Sequence, residues 1–158
     1  MTNYDDIIQR LVVNEGCSLT PYKCPAGYLT IGVGRNLETN PLTAEEKLVC
    51  GDDYLKGITK NAAYFLLRND IEKVKKDLDK NLPWWINLND DRRFVMIDLC
   101  FNLGVSKLLK FNNTLRYLST GFYKQAASNL RESLYYKQVK KRAERNARCI
   151  ETGKYTYD

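Results

Sequence analysis

The segment between residues 59 and 80 constrains the fold of this 158-residue chain more than any other part of the sequence. Its apolar residues recur at steps of three and four positions: Ala63, Leu66, Leu67, Ile71, Val74 and Leu78. This spacing predicts an amphipathic helix about 30 Å long, at about 1.5 Å per residue. Thr59 is placed to cap its start, and Pro83 follows its end. Such a helix is long enough to join two lobes.

Helical spacing covers most of the remaining chain. The other segments expected to be helical are 4–13, a short helix from the capping box Thr43-Ala-Glu-Glu46, 91–103, 106–110, 113–119, 123–134 and 140–151. The segment 91–103 is apolar nearly all round, which predicts the central helix of a second lobe. Asn89 or Asp90 is expected to cap this helix, and Gly104 to end it.

One stretch has a different texture. Between Thr20 and Gly34, glycines and prolines interrupt a run rich in tyrosine, threonine, isoleucine and valine. This composition is typical of a small hairpin or meander. The chain is therefore predicted to be an α+β protein, mostly helical, with one small antiparallel sheet near the N-terminus.

The sequence contains no histidine. This excludes a Ser-His-Asp triad, a Cys-His dyad and a zinc site with histidine ligands. Acid–base chemistry at neutral pH must then fall to carboxylates, lysine, tyrosine or cysteine. The five cysteines are odd in number and form no CxxC motif, so we expect reduced thiols. A metal site with four cysteine ligands is not excluded, but nothing in the spacing suggests one, so no metal and no other cofactor is expected.

The charge balance favours an anionic partner. The net charge is +6, and the segment from Lys137 to Arg148 holds six basic residues against one acid. This segment lacks interleaved aromatic residues and any recognised nucleic-acid motif, so an acidic cell-wall polymer is the expected partner rather than nucleic acid. The N-terminus lacks the pattern of a signal peptide, and no apolar stretch approaches the roughly 18 residues of a membrane span. We expect a soluble, cytoplasmic protein.

Glu15 falls at the end of the first predicted helix. A carboxylate near a helix C-terminus meets the negative end of the helix dipole, which disfavours its charged form. In a partly apolar cleft its pKa would rise further, so that it holds a proton near neutral pH. These are the requirements of a general acid.

The spacing around Glu15 is that of a known family. Cys24 follows nine positions later, Thr30 six positions further, and Thr30 leads into Ile-Gly-Val-Gly34. This pattern resembles the signature of phage-type lysozymes, the T-even-phage-like muramidases of glycoside hydrolase family 24. In that signature a helix delivers the glutamate, and a tightly turning hairpin delivers an acid or a cysteine and then a threonine.

Further segments resemble the family in the right order over about 130 residues. They are Leu67-Arg-Asn-Asp70, Phe101-Asn102-Leu-Gly104, Phe111-Asn-Asn-Thr114-Leu-Arg, Ala126-Ala-Ser-Asn129-Leu, Tyr135-Tyr and Arg142-Ala-Glu144-Arg145. The resemblance implies a single lysozyme-like domain. Its expected parts are a sheet lobe over 14–58, a connecting helix over 59–80, and a helical lobe over 81–158 that includes the helix 4–13.

The resemblance also implies roles for individual residues. Glu15 would be the general acid, Cys24 would support water attack or attack directly, and Thr30 would position the water or the sugar. Arg142 would pair with the catalytic glutamate. The residues expected to line the saccharide cleft are Asn102, Phe111, Thr114 and Asn129.

The implied function is that of an endolysin, a monomeric muramidase of a phage or prophage. It would hydrolyse the β-1,4 bond between N-acetylmuramic acid and N-acetylglucosamine in peptidoglycan glycan strands. It would wait in the host cytoplasm until a separate holin-type protein permeabilised the membrane.

Two positions depart from the family pattern. Cys24 stands where an aspartate would supply the second carboxylate that glycoside hydrolysis usually needs. A lytic transglycosylase, which needs one acid/base glutamate, and a non-catalytic peptidoglycan- or nucleic-acid-binding module are therefore the alternatives. Arg35 stands where the best-known member has a histidine, and we expect it to pair with Asp70. If that pair is partly buried, Asp70→Asn is expected to destabilise the fold by about 1–3 kcal/mol.

Overall fold

The computed structural model describes residues 4–157. These residues form two compact units, 4–73 and 74–157, and the boundary between them falls within one long helix. Each unit builds its own set of candidate functional residues.

The first unit contains the sheet. Its elements are the helix α1 (Tyr4–Glu15), the strands β1 (Ser18–Lys23), β2 (Leu29–Gly32) and β3 (Arg35–Asn36), the helix α2 (Ala44–Cys50), a 3-10 turn (Tyr54–Lys56), and the part of α3 (Lys60–Asn81) up to residue 73. The strands are antiparallel in the order β1-β2-β3, with Tyr22 opposite Thr30 and Ile31 opposite Arg35. The predicted small antiparallel sheet near the N-terminus is confirmed.

Apolar side chains from the sheet and from α3 form the core of this unit. They are Ile31, Leu42, Ile58, Ala62, Ala63 and Leu66. The predicted caps hold the helices in place. Thr43 and Glu46 form the complete capping box of α2, and the Thr59 hydroxyl oxygen accepts a hydrogen bond of 3.1 Å from the Ala62 N–H. Each cap satisfies backbone N–H groups that would otherwise lack a partner.

The second unit is helical. Its elements are the end of α3, a 3-10 turn (Pro83–Asn87), α4 (Asp90–Leu103), α5 (Val105–Leu108), α6 (Asn112–Ser119), α7 (Tyr123–Arg131), α8 (Leu134–Val139) and α9 (Lys141–Thr152). Asn89 caps α4 by accepting from the Arg92 N–H, and Gly104 ends it, as predicted. Every side chain from Phe94 to Cys100 is buried, so α4 is the central helix of this unit.

The helix predicted over 123–134 ends at Arg131, and the additional helix α8 occupies a stretch that was predicted to be non-helical beyond residue 134. The Ser133 hydroxyl donates to the Leu130 carbonyl and accepts from the Tyr136 N–H, so it ends one helix and caps the next. Lys140 then adopts a left-handed backbone, with φ of 60°, and separates α8 from α9. Apolar periodicity does not reveal breaks of this kind, because both helices keep an apolar face.

The first helix belongs to the unit 4–73. The Tyr4 hydroxyl donates to the Arg68 carbonyl at 3.1 Å and lies 2.8 Å from the Glu72 carboxylate, so it ties α1 to α3. This division differs from the expected one, which joins the helix 4–13 to the C-terminal lobe. The expected lobe boundaries stay a prediction. Over residues 4–157, no helix combines the length and the apolar character that crossing a membrane requires.

Candidate active site

Glu15 is the last residue of α1, and its carboxyl lies against the turn between β2 and β3. Gly16 follows with φ of 76°, and its N–H donates to the Val12 carbonyl at 2.8 Å, which ends the helix. A Cβ atom at Gly34 would lie 2.9 Å from Glu15 Oε1. Gly34 also has φ of 68°, a conformation that favours glycine. The glycine therefore allows the carboxyl to approach the backbone closely.

Cys24 follows β1 and is half-buried at the start of the turn that leads to β2. Backbone hydrogen bonds, first from Tyr28 and then from Ala26 and Gly27, together with one from the Thr30 side chain, hold the pKa of the Cys24 thiol below its ordinary value. Burial opposes this effect but does not overcome it. A cluster of N–H donors around sulfur favours the thiolate, so this thiol carries negative charge more readily than an ordinary cysteine.

Thr30 lies on β2 and is 3% exposed. Its hydroxyl donates to the Tyr28 carbonyl at 2.9 Å and is also a hydrogen-bond partner of Cys24. Since a hydroxyl carries one proton, it donates either to the carbonyl or to the sulfur. Thr30 is therefore placed to respond to the charge on Cys24.

Tyr22 is a further residue of this site, and it was not predicted from the sequence. It lies directly opposite Thr30 in the sheet. Burial raises the pKa of Tyr22, and negative charge on Glu15, Cys24 and Cys17 raises it further. The phenol is therefore within electrostatic reach of both the carboxyl and the thiol. The sequence alone does not reveal this neighbour, because the pairing of Tyr22 with Thr30 depends on the register of β1 and β2.

The arrangement within residues 4–73 combines a carboxyl group, a thiol with a lowered pKa, a buried hydroxyl and a neutral phenol. Such a set can donate a proton to one side of a bound group and present negative charge to it. These are the two functions that cleavage of a glycosidic bond requires.

The second unit holds most of the residues predicted to contact saccharide. Phe111 and Asn129 line an open groove of about 480 Å³, together with Tyr135, whose ring meets the Phe111 ring edge to face at 6.1 Å. Thr114 is buried and donates to the Asn129 side-chain oxygen at 2.5 Å. Asn102 lies exposed near the end of α4 and is not among the residues lining this groove. The structure thus brings together Phe111, Thr114 and Asn129, and not Asn102.

Arg142 lies on α9 and is held by a buried carboxylate. Its guanidinium donates two hydrogen bonds, of 3.0 and 2.8 Å, to Asp98 on α4, which is fully buried. Asn146 donates to the same carboxylate at 2.9 Å. Asp98 was not predicted from the sequence, although a single acid within the apolar run 94–101 is the signal of a buried pair. The expected pairing of Arg142 with Glu15 stays a prediction.

Comparison with known proteins identifies the family of the sequence. The model of the family described as phage lysozyme matches residues 13–147 of the sequence. The chain belongs to the phage lysozyme family.

Two relatives show the extent of the likeness. The protein named "Probable T4-type lysozyme 1", from Dictyostelium discoideum, is 30% identical over 156 residues, which cover 90% of this chain and 92% of that protein. The pre-baseplate central spike protein Gp5 of Enterobacteria phage T4 is also 30% identical, over 152 residues. That match covers 89% of this chain but 26% of the spike protein, so this phage lysozyme chain spans about a quarter of that relative.

This phage lysozyme chain has Arg35 at the start of β3, and the predicted pair with Asp70 is confirmed at 3.2 Å. Glu46, however, accepts two shorter hydrogen bonds from the same guanidinium, of 2.6 and 3.0 Å. Although burial acts to raise it, hydrogen bonds from Arg35, Asn69 and the Thr43 backbone bring the pKa of Glu46 to about 2. The sequence predicted Glu46 as part of a helix cap but not as a partner of Arg35.

Proposed function

We propose that this chain is a muramidase that hydrolyses the β-1,4 bond between N-acetylmuramic acid and N-acetylglucosamine in peptidoglycan. Membership of the phage lysozyme family supports a peptidoglycan-hydrolysing function in general. The observation that carries the finer proposal is the placement of Glu15 against Gly34, in the unit that also holds Cys24 and Thr30.

In the proposed reaction Glu15 is the general acid. Its carboxyl donates a proton to the glycosidic oxygen as the bond from that oxygen to the anomeric carbon breaks. Positive charge then develops on the sugar, and the Cys24 thiolate supplies the negative charge that a second carboxylate usually provides. In one route the thiolate orients the attacking water and accepts its proton. In the other the thiolate forms a bond to the anomeric carbon as the glycosidic bond breaks, and a water then displaces the sulfur and gives its proton to the Glu15 carboxylate. Thr30 holds the water or the sugar. Retention of the anomeric configuration would indicate direct attack.

Product analysis tests the proposal. Purified peptidoglycan is digested, and the released muropeptides are identified by mass spectrometry, with Glu15→Gln as the matched variant. We expect reducing muramic-acid ends that disappear in the variant. Because one glutamate suffices for a lytic transglycosylase and Cys24 replaces the second carboxylate, 1,6-anhydro ends are the competing outcome. No soluble fragments from a folded protein would contradict both enzymatic functions and favour a binding module.

The function of Cys24 requires its own experiment. Iodoacetamide is expected to modify Cys24 faster than Cys17 at neutral pH, and activity is expected to fall in step with that modification. Cys17 is the more exposed thiol, but burial raises its pKa against the opposing charge of Lys60. A Cys17→Ser variant shows that the lost activity belongs to Cys24. Full activity after complete alkylation of Cys24 would contradict a catalytic thiol.

The biological setting of the proposal is that of an endolysin. The basic segment from Lys137 to Arg148 suits attraction to an anionic wall, and a separate permeabilising protein would admit the enzyme to it. We expect monomeric protein produced in a bacterial cytoplasm to leave cells intact until a membrane-permeabilising agent is added. Lysis without that agent would contradict this setting, and sedimentation analysis tests the monomer.

A further inference from the structure

Tyr22 lies among the proposed catalytic residues, and the family signature assigns it no role. The register of β1 and β2 places it directly opposite Thr30, and side chains of directly opposed residues project from the same face of a sheet. Tyr22 and Thr30 are therefore neighbours by the geometry of the backbone.

The charged groups that act on the phenol come from both sides of the site. Glu15 lies at the end of α1, Cys24 follows β1, and Cys17 precedes β1. All of these groups disfavour the phenolate, so Tyr22 keeps its proton over the whole neutral pH range. A phenol that keeps its proton acts as a hydrogen-bond donor and not as a base.

The Tyr22 side chain is half-buried, and within residues 4–157 no protein group forms a hydrogen bond with its hydroxyl. The hydroxyls of Tyr4 and Tyr136, by contrast, are engaged by Glu72 and Glu144. Partly buried tyrosines usually direct the hydroxyl to a partner. The Tyr22 hydroxyl therefore has a donor available for a bound molecule.

We propose that the Tyr22 hydroxyl contacts the bound glycan and donates a hydrogen bond to the sugar on which Glu15 and Cys24 act. The inference rests on the proposed muramidase function and adds a further substrate-contacting residue to it. The donor lies on the same face of the sheet as Thr30, so it would approach the sugar from the side of the sheet.

The test compares Tyr22→Phe with the wild type and with Tyr54→Phe. Tyr54 is a half-buried tyrosine of the same unit that packs against the apolar core, so it controls for the loss of a hydroxyl. Initial rates on purified peptidoglycan give kcat/KM. Calorimetric titration with the β-1,4-linked tetrasaccharide of N-acetylglucosamine gives affinity, with each substitution placed in the inactive Glu15→Gln background. Thermal unfolding shows whether each variant is folded.

Loss of one neutral hydrogen bond is expected to lower kcat/KM and tetrasaccharide affinity by about 2- to 10-fold, with an unchanged melting temperature. A purely structural role would not produce this result, because phenylalanine keeps the ring in place. Values for Tyr22→Phe equal to those of Tyr54→Phe would overturn the inference and leave the muramidase proposal intact. Full activity of Glu15→Gln would instead remove the proposed function on which the inference rests.

Discussion

Each unit of the molecule contains an arginine held by buried carboxylate groups, and the two arginines differ in how deeply they are buried. Arg35 is 1% exposed and faces two carboxylates, Glu46 and Asp70. The Arg142 side chain is 11% exposed and donates two hydrogen bonds to one carboxylate, that of Asp98. Arg35 also donates to the backbone carbonyls of residues 40 and 41.

The depth of burial determines how much stability is lost when the arginine is removed. Removing Arg35 would leave Glu46 and Asp70 buried without the guanidinium that both carboxylates contact, whereas Arg142 retains a path to water. An uncompensated buried charge is more costly than a lost ion pair. Substitutions in the cluster around Arg35 should therefore lower the free energy of unfolding more than substitutions in the cluster around Arg142.

The largest effect is expected for Arg35→Leu. It leaves Glu46 and Asp70 buried together and removes two backbone contacts, so the free energy of unfolding should fall by about 3–5 kcal/mol. Urea denaturation at pH 7, followed by circular dichroism, measures this change. A loss below about 1 kcal/mol would mean that the two carboxylates find other partners. It would contradict the greater sensitivity expected of the Arg35 cluster.

Asp98→Asn probes the other cluster. An amide can accept one of the two Arg142 hydrogen bonds but not both, and a loss of about 2–3 kcal/mol is expected. Asp90→Asn on the same helix is the matched control, because its pair with Arg93 is partly exposed and is expected to contribute less than about 1 kcal/mol. Equal effects of the two substitutions would show that burial of Asp98 is unimportant.

Asp70→Asn should have a smaller effect than either of those changes. Arg35 keeps Glu46 as its closer partner, and burial raises the pKa of Asp70 even though Arg35 opposes this. We therefore expect the lower end of the sequence-based range, a loss of about 1 kcal/mol. The melting temperature measures it, and a loss as large as that of Arg35→Leu would show that Asp70 and not Glu46 is the main partner.

The ionisation of Glu46 makes the stability of the Arg35 cluster depend on pH. Its pKa of about 2 in the folded chain lies below the ordinary value of 4.5. The unfolded chain therefore binds more protons between these values, and the stability that Glu46 contributes is lost as the pH falls through them. The difference in unfolding free energy between the wild type and Glu46→Gln should narrow by about 1 kcal/mol from pH 7 to pH 3.5. A difference in unfolding free energy that stays constant with pH would show that the charge of Glu46 does not contribute to stability.

The sequence predicted those elements whose signals are local. The apolar spacing of residues 63–78 gave α3, the Thr43 capping box gave α2, and Asn89 gave the start of α4. The short helix α8 was missed, because a serine such as Ser133 caps a new helix only when the surrounding packing favours it.

The candidate site was predicted from the spacing of the signature residues along the chain. That spacing does not reveal which other residues lie beside them in the fold. The sequence signature identified Glu15, Cys24 and Thr30, but it did not identify Tyr22 or Asp98, whose significance depends on strand register and on burial. Arg35 was assigned one partner on the strength of the family pattern. Its second partner, Glu46, was hidden because the same side chain also caps a helix.

The close approach of Gly34 to Glu15 limits how this protein can be stabilised. Replacing glycine with alanine usually stabilises a protein by reducing the freedom of the unfolded chain, where the native backbone permits a side chain. At Gly34 the left-handed backbone disfavours a side chain, and an added Cβ would lie 2.9 Å from Glu15 Oε1 and displace the carboxyl. The chain must order a flexible glycine each time it folds, and thermostabilising design has to leave this entropy cost in place and gain its improvement elsewhere.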